Sequence, residues 1–106
     1  PSDRPPSETL AMLQKIMRQA PETEDRALII AGAATVRTME CVQWVAGYLD
    51  DASLAQAACA ALVDLAHHRE LRHPNMDQFG PILDKVAATS QDATVVERAK
   101  RYRLGL

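Results

Sequence analysis

The sequence predicts a single all-α domain in which about six short helices pack as three hairpins. Apolar residues recur every three or four positions between helix-capping and helix-terminating residues, and no segment alternates convincingly with period two. The composition is rich in alanine and poor in aromatic residues, which make up 4% of the chain against a hydrophobic total of 47%. This balance favours helices whose backbones approach closely over a sheet of bulky side chains. With 106 residues, the chain is long enough to bury one core.

The N-terminal half contains a linker and three predicted helices. Residues 1–7 are polar and rich in proline, which is typical of a linker and of a fragment of a longer protein. Ser7 is expected to cap a helix over about 8–20 that ends at Pro21. A second helix is predicted over 23–36, with one apolar face formed by Leu28, Ala31 and Thr35. A third helix is predicted over 39–49, capped by Thr38, with a buried stripe of Cys41, Val42, Val45 and Leu49.

The C-terminal half contains three further predicted helices. Asp51 is expected to cap a helix over 52–68 that is apolar on most sides and therefore forms the centre of the fold. A loop is predicted over 69–76, followed by a helix over 77–89 with Pro81 in its first turn, where a missing N–H costs nothing. The last helix, 92–104, is predicted to begin at a cap within Ser90–Asp92 and to stop at Gly105, with an inward stripe of Val95 or Val96, Ala99 and Tyr102.

An internal repeat is the most specific feature of the sequence. Asp51–Ala58 matches Asp92–Ala99 in chemistry at most positions, and the offset, 92 − 51 = 41, lies within the period of about 40 to 47 residues of HEAT and armadillo repeats. A degenerate third copy is predicted from Asp25, with Leu28 and Gly32 at the equivalent positions. In this interpretation each aspartate caps a helix, and a small residue seven positions later lets a neighbouring helix approach.

The segment DASLAQAACAAL, over 51–62, resembles the second helix of a HEAT repeat, which implies a HEAT-like or armadillo-type right-handed α-solenoid over 8–106. Family copies often carry an arginine five positions after the aspartate, where this chain has Gln56 and Glu97. The order of helices, with YLDDASLAQAA and GPILDKVAATSQD, resembles helical modules appended to bacterial multidomain sugar-active proteins of the 3-keto-glycoside hydrolase type. That resemblance covers about residues 10 to 104 and implies a noncatalytic, extracytoplasmic module whose partner is an adjacent domain.

Charge and motifs exclude several classes of function. The formal net charge of −2 supplies no field to attract a polyanion, and no apolar run reaches the length of a membrane-spanning helix. There is no Gly-x-Ser-x-Gly elbow and no phosphate-binding glycine loop, and the carboxylates concentrate at helix starts, where capping accounts for them. We therefore predict no enzymatic activity, no cofactor and no membrane insertion.

Two groups of residues invite a chemical interpretation. His67, His68, Glu70 and His73 are the only cluster of potential metal ligands, but their spacing favours ordinary helix-end residues over a zinc site. If the third and fourth helices fold back on each other about the turn at 50–51, Cys41 and Cys59 lie at similar distances from that turn along the two helices. A disulfide is therefore sterically conceivable, while two buried free thiols are the commoner arrangement.

The candidate interaction surface combines aromatic and basic residues. Trp44 and Tyr48 lie four positions apart on the third helix and form either a partner-binding patch or part of the core. The basic end of the last helix includes Arg98 and Arg101, and Tyr102 there either stacks on a base or fills the buried stripe. We expect a noncatalytic interaction or scaffold module; the alternative is a nucleic-acid-binding domain that uses this basic helix.

Overall fold

The computed structural model describes residues 4–20 and 22–106, and within them the chain forms helices, turns and connecting segments without a strand. The all-α prediction is confirmed. In this described part of the chain, six helices have at least eight residues and a seventh is a single turn: α1 (Pro6–Gln19), α2 (Thr23–Ala33), α3 (Met39–Ala46), α4 (Ala55–Ala66), α5 (Arg69–Arg72), α6 (Met76–Thr89) and α7 (Ala93–Arg103). Two 3₁₀ turns, Gly47–Asp50 and His73–Asn75, follow α3 and α5.

Helix α4 is the centre of the core, as its composition predicts. It packs against α2, α3, α6 and α7, whereas α1 packs mainly against α2. Eight of its twelve residues are buried, because a helix with neighbours on most sides has almost no polar face. The radius of gyration of 13.2 Å agrees with the value of about 13 Å expected for a globular domain of this size.

Three predicted helix signals are confirmed. The Thr38 side chain accepts a hydrogen bond from the Cys41 N–H at 3.2 Å and so caps α3. The Asp92 carboxylate caps α7, accepting from the N–H groups of Thr94 at 2.9 Å and Val95 at 3.4 Å. At the other end of α7, Gly105 adopts a φ of +85°, a left-handed conformation that suits glycine and stops the helix.

Two predicted helix starts are wrong. Helix α1 begins at Pro6 rather than after a Ser7 cap, because proline is well suited to the first helical position; residues 1–3 of the predicted linker, and Pro21, lie outside the described residues. Helix α4 begins at Ala55 rather than 52. The Asp51 carboxylate instead accepts bonds from the N–H and hydroxyl of Ser53, which makes a local turn that delays the helix.

The predicted face of α2 is also wrong. Leu28 is 71% exposed, and Ala31 and Thr35 also face solvent, while the buried residues of α2 are Ile30 and Ala33. The helix ends at Ala33 rather than 36, since the chain turns there and places Val36 in the core. The third repeat copy fails for the same reason: its Leu28 and Gly32 lie at exposed positions.

The segment predicted as a loop over 69–76 contains α5 and a 3₁₀ turn, and α6 begins at Met76. Pro81 is consequently the sixth residue of α6 and not part of its first turn. The Asp77 carbonyl therefore lacks the N–H that residue 81 would otherwise donate. Pro81 is exposed, so its ring lies on the solvent side of the helix, where the bare carbonyl is accessible to water.

Candidate functional site

Trp44 and Tyr48 form an aromatic pair on the solvent side of α3 and its 3₁₀ extension. Their ring centroids lie 5.6 Å apart at an interplanar angle of 88°, the edge-to-face geometry that aromatic rings prefer. Both side chains are half-buried and pack against the core with one part of their surface. The pair therefore anchors α3 and also leaves part of its aromatic surface exposed to solvent.

The aromatic pair lines one side of a groove whose other residues come from α1 and α2. Gln14, Met17 and Arg18 are contributed by α1, and Arg26 is contributed by α2. We call these four residues, together with Trp44 and Tyr48, the aromatic–arginine groove. Met17 is only 4% exposed and closes the floor, whereas Arg18 is exposed to solvent. The groove thus combines aromatic surface, an amide and two guanidinium groups.

The two arginines differ in how firmly they are held. The Nε of Arg26 donates to the Ala20 carbonyl at 3.2 Å, which ties its side chain to the end of α1. Neither Arg18 nor Arg26 belongs to the ion pairs found among the described residues. Hydrogen bonds from Ser53 hold the pKa of Asp51 below its usual range, and the charge of Arg26 adds to that lowering. The groove therefore carries a positive charge of which only part is offset.

Arg98 and Arg101 lie away from this groove and are engaged within the fold. Arg98 forms an ion pair with Asp64 at 2.9 Å and donates to the Val63 carbonyl at 3.4 Å. Arg101 pairs with Glu97 one helical turn earlier, at 3.1 Å. The structure brings together Trp44 and Tyr48, whereas Arg98 attaches α7 to α4 and Arg101 forms its ion pair within α7.

Tyr102 is the centre of that second cluster. Its side chain is buried with 4% exposure, and the guanidinium carbons of Arg72, Arg98 and Arg101 lie 4.8, 5.6 and 5.4 Å from its ring centroid. The His67 Nδ1 lies 3.0 Å from its hydroxyl, and the Arg98 Nε donates to that hydroxyl at 3.3 Å. Burial raises the pKa of Tyr102, but the bonds and charges of Arg98 and Arg101 outweigh burial and lower that pKa overall. A ring enclosed in this way has no face on which a nucleic-acid base can stack.

Arg72 is the polar residue that the sequence analysis missed. It is fully buried, its Nη1 donates to the Ala66 carbonyl at 2.6 Å, and its Nη2 lies 3.3 Å from the His73 Nε2. Its Nε has no hydrogen-bond partner among the described residues, and burial lowers the pKa of the guanidinium. The side chain closes the C-terminal end of α4, where the helix dipole favours a cation. No local signal distinguishes Arg72 from the exposed Arg69 one turn earlier.

Of the three histidines in the candidate metal cluster, His67 and His68 lie edge to face with ring centroids 5.5 Å apart, and their other neighbours differ. His67 contacts Tyr102, His68 lies 3.9 Å from Glu70, and His73 contacts Arg72. A search of the described residues finds no group of three or more potential ligands placed to hold a metal ion.

Both cysteines are buried free thiols, the commoner of the two arrangements considered from the sequence. The Cys41 Sγ donates to the Ala33 carbonyl at 3.3 Å, which links α3 to α2. Burial raises the pKa of the Cys41 thiol to about 11, and it raises the pKa of Cys59 as well. The thiolate is the reactive form, so neither group is a candidate nucleophile.

No protein-family model matches the sequence, and comparison with curated proteins and with solved structures gives no significant match. None of the helices in the described part of the chain combines the length and the hydropathy needed to cross a membrane. Function must therefore be argued from the residues of the site itself.

Proposed function

We propose that this chain is a noncatalytic interaction or scaffold module that docks a partner in the aromatic–arginine groove. The observation that carries the proposal is the edge-to-face Trp44–Tyr48 pair lining the same groove as Arg18 and Arg26. Tryptophan, tyrosine and arginine are the residues that most often dominate binding energy at protein interfaces. Trp44 and Tyr48 already pack against the core, so these two rings lose little conformational entropy when a partner binds.

The chemistry of the groove favours an acidic segment that carries an apolar side chain. Carboxylates would pair with Arg18 and Arg26, and an apolar side chain would pack on the exposed parts of Trp44 and Tyr48. An adjacent domain of the same parent chain is the partner we propose, because tethering raises the effective concentration of a weakly binding segment.

A HEAT-like stacking of hairpins is part of this proposal. The repeat supports it, because Leu54 at the N-cap of α4 and Ala58 within α4 are buried, as are their counterparts Val95 and Ala99 on α7. The Gln56 side chain, at the position of the family's ladder arginine, accepts a bond at 3.1 Å from the Gln91 N–H, just before α7. Resemblance to the helical modules of bacterial sugar-active proteins supports an appended, extracytoplasmic location.

Trp44 is the only tryptophan of the chain, so its fluorescence reports on the groove directly. The protein is titrated with a peptide of alternating glutamate and leucine, and separately with one of alternating lysine and leucine. We expect a saturable change with the acidic peptide alone, lost in Arg18→Glu. Lys15→Glu is the matched control, since it reverses a charge on an exposed part of α1 outside the groove lining. Equal responses to both peptides, no response, or an undiminished response in Arg18→Glu would refute the proposal.

Nucleic-acid binding through α7 is the alternative, and we expect it to fail. Tyr102 is buried and Arg98, Arg101 and Arg103 are ion-paired within the chain. A gel shift with single- and double-stranded DNA over a range of salt concentrations separates the two functions. Affinity that falls steeply with salt would support the alternative.

A further inference from the structure

Helices α1 and α2 form a hairpin whose outer surface carries exposed apolar side chains. Residues 20–22 connect the two helices, and α1 packs mainly on α2. A second groove runs between them, lined by Ile16, Gln19, Ala20, Asp25, Leu28 and Ile29; we call it the α1–α2 groove. Leu28 is 71% exposed and Ile16 is 43% exposed there. Large apolar side chains that share one exposed surface indicate an interface more often than scattered single residues do.

The exposed face of α2 has the composition of a buried one. Leu28, Ala31 and Thr35 are the residues that the sequence predicts to face the core, and all three face solvent in the structure. Gly32 is exposed beside them, and a Cβ placed there would meet no atom within 4 Å. Small residues let the axis of a second helix come close, and Leu28 offers that helix an apolar side chain to cover. This face is therefore suited to pack against a further helix.

The charged residues beside this face have opposite signs and form no ion pairs within the described part of the chain. Lys15 is exposed on α1, one turn before the groove residue Gln19, and no carboxylate lies three or four positions from it on that helix. Glu24 and Asp25 are exposed in the first turn of α2. Because residues 20–22 join the two helices, the basic second half of α1 and the acidic start of α2 lie at the same end of the hairpin.

The hairpin carries both halves of one contact. Its α1 surface offers Ile16 beside a basic residue, and its α2 surface offers Leu28 beside acidic residues. A partner that covers the exposed face of α2 must supply an apolar helix with a positive charge, which is what α1 of another copy supplies. A surface that is complementary to itself is the requirement for a two-fold symmetric dimer.

We propose that two copies of this chain associate through their hairpins, with α1 of each copy packed on the exposed face of α2 of the other. The four helices form a bundle about a two-fold axis that runs along them, and the two connections lie at the same end. Ile16 and Leu28 of both copies are buried between the hairpins. Lys15 of each copy lies across from Asp25 of the other, so the same ion pair forms twice and fixes the register.

The size of the contact sets the range of concentrations for a test. Helix α2 has 11 residues and is about 16 Å long, and two adjacent helices are about 20 Å wide. This face is smaller than the roughly 800 Å² per partner of a standard interface, so we expect a weak dimer. Sedimentation velocity from about 10 μM to about 1 mM should show a weight-average mass that rises towards that of a dimer. The mass should not exceed that of a dimer, because a two-fold contact is closed.

Charge reversal tests the proposed register. Lys15→Glu places two carboxylates across from each other, and Asp25→Lys places two ammonium groups there. Each variant alone is expected to dimerise at least about tenfold more weakly than the wild type, because both symmetric contacts become repulsive. Asp77→Lys is the matched control, since it makes the same change in the first turn of α6, which packs on α7 and α4, and it should dimerise like the wild type. All three positions are exposed, so the variants should keep the wild-type helical circular dichroism.

An equimolar mixture of Lys15→Glu and Asp25→Lys gives the decisive result. In a mixed dimer both contacts again join opposite charges, so the mixture is expected to associate about as tightly as the wild type. A mixture that associates no better than either variant alone would overturn the proposal, as would a wild-type chain that is monomeric at about 1 mM or that grows beyond a dimer. The peptide titration of the aromatic–arginine groove reports on a different surface, so either proposal can fail without the other.

Discussion

Replacing Ala58 by leucine should destabilise the fold through size alone. Ala58 is fully buried on α4, and four helices surround that element. Leucine adds three carbon atoms, whose burial would contribute about 2.4 kcal/mol at about 0.8 kcal/mol per CH₂ if the site had room. A close-packed helix crossing has no room for these atoms, so overpacking lowers the free energy of unfolding by about 1 to 3 kcal/mol. Helix propensity hardly changes, because alanine and leucine are both strong helix formers.

Urea denaturation of the variant beside the wild type measures this cost as a midpoint shift at unchanged slope. A slope of about 1 to 3 kcal/mol per molar urea converts the expected cost to a shift of roughly 1 M. Ala93→Leu is the control, because Ala93 is exposed at the start of α7 and should change the free energy of unfolding by under about 0.5 kcal/mol. If Ala58→Leu is neutral or stabilising, the close approach inferred from the small residues at Ala58 and Ala99 is wrong.

Two further predictions concern a helix cap and a buried thiol. Asp92→Ala removes both cap bonds of α7 and should cost about 1 kcal/mol in urea denaturation, whereas Asp92→Asn, which can still accept, should cost less. Burial raises the pKa of Cys41 from 9.0 to about 11, so the folded chain keeps a proton that the unfolded chain loses. The free energy of unfolding should therefore fall as pH rises above about 9, by up to about 1.4 kcal/mol per pH unit. This fall should be smaller in Cys41→Ala. Equal slopes in the two proteins would contradict the raised pKa of Cys41.

The elements that could be predicted from the sequence are those decided by local chemistry. Thr38, Asp92 and Gly105 act within three or four residues of their own positions, so their roles need no knowledge of the rest of the fold. Asp51 shows the limit of this reasoning. At the equivalent place in the repeat, the Asp51 carboxylate accepts bonds from both the N–H and the hydroxyl of Ser53 and forms a local turn, whereas the Asp92 carboxylate accepts from the N–H groups of Thr94 and Val95 and caps a helix.

What could not be predicted depends on contacts between distant segments. Leu28, Ile29 and Ile30 are consecutive apolar residues, so α2 has two possible inward faces, and packing against α4 selects the one with Ile30. Only part of the aromatic–arginine groove can be predicted from the sequence. The spacing of Trp44 and Tyr48 predicts their contact, but tertiary packing places Arg18 of another helix beside them.

The stacking of Arg72 on Tyr102 has a consequence for how the chain is made. The two residues are separated by 102 − 72 = 30 positions, and the guanidinium of Arg72 lies 4.8 Å from the ring centroid. Synthesis proceeds from the N-terminus, so α4 and α5 leave the ribosome before α7 exists. Until then, the guanidinium has no ring to cover it and stays in water, where its hydration is complete. The end of α4 therefore closes only after α7 has been synthesised, which makes the docking of α7 the step that completes the core around Arg72.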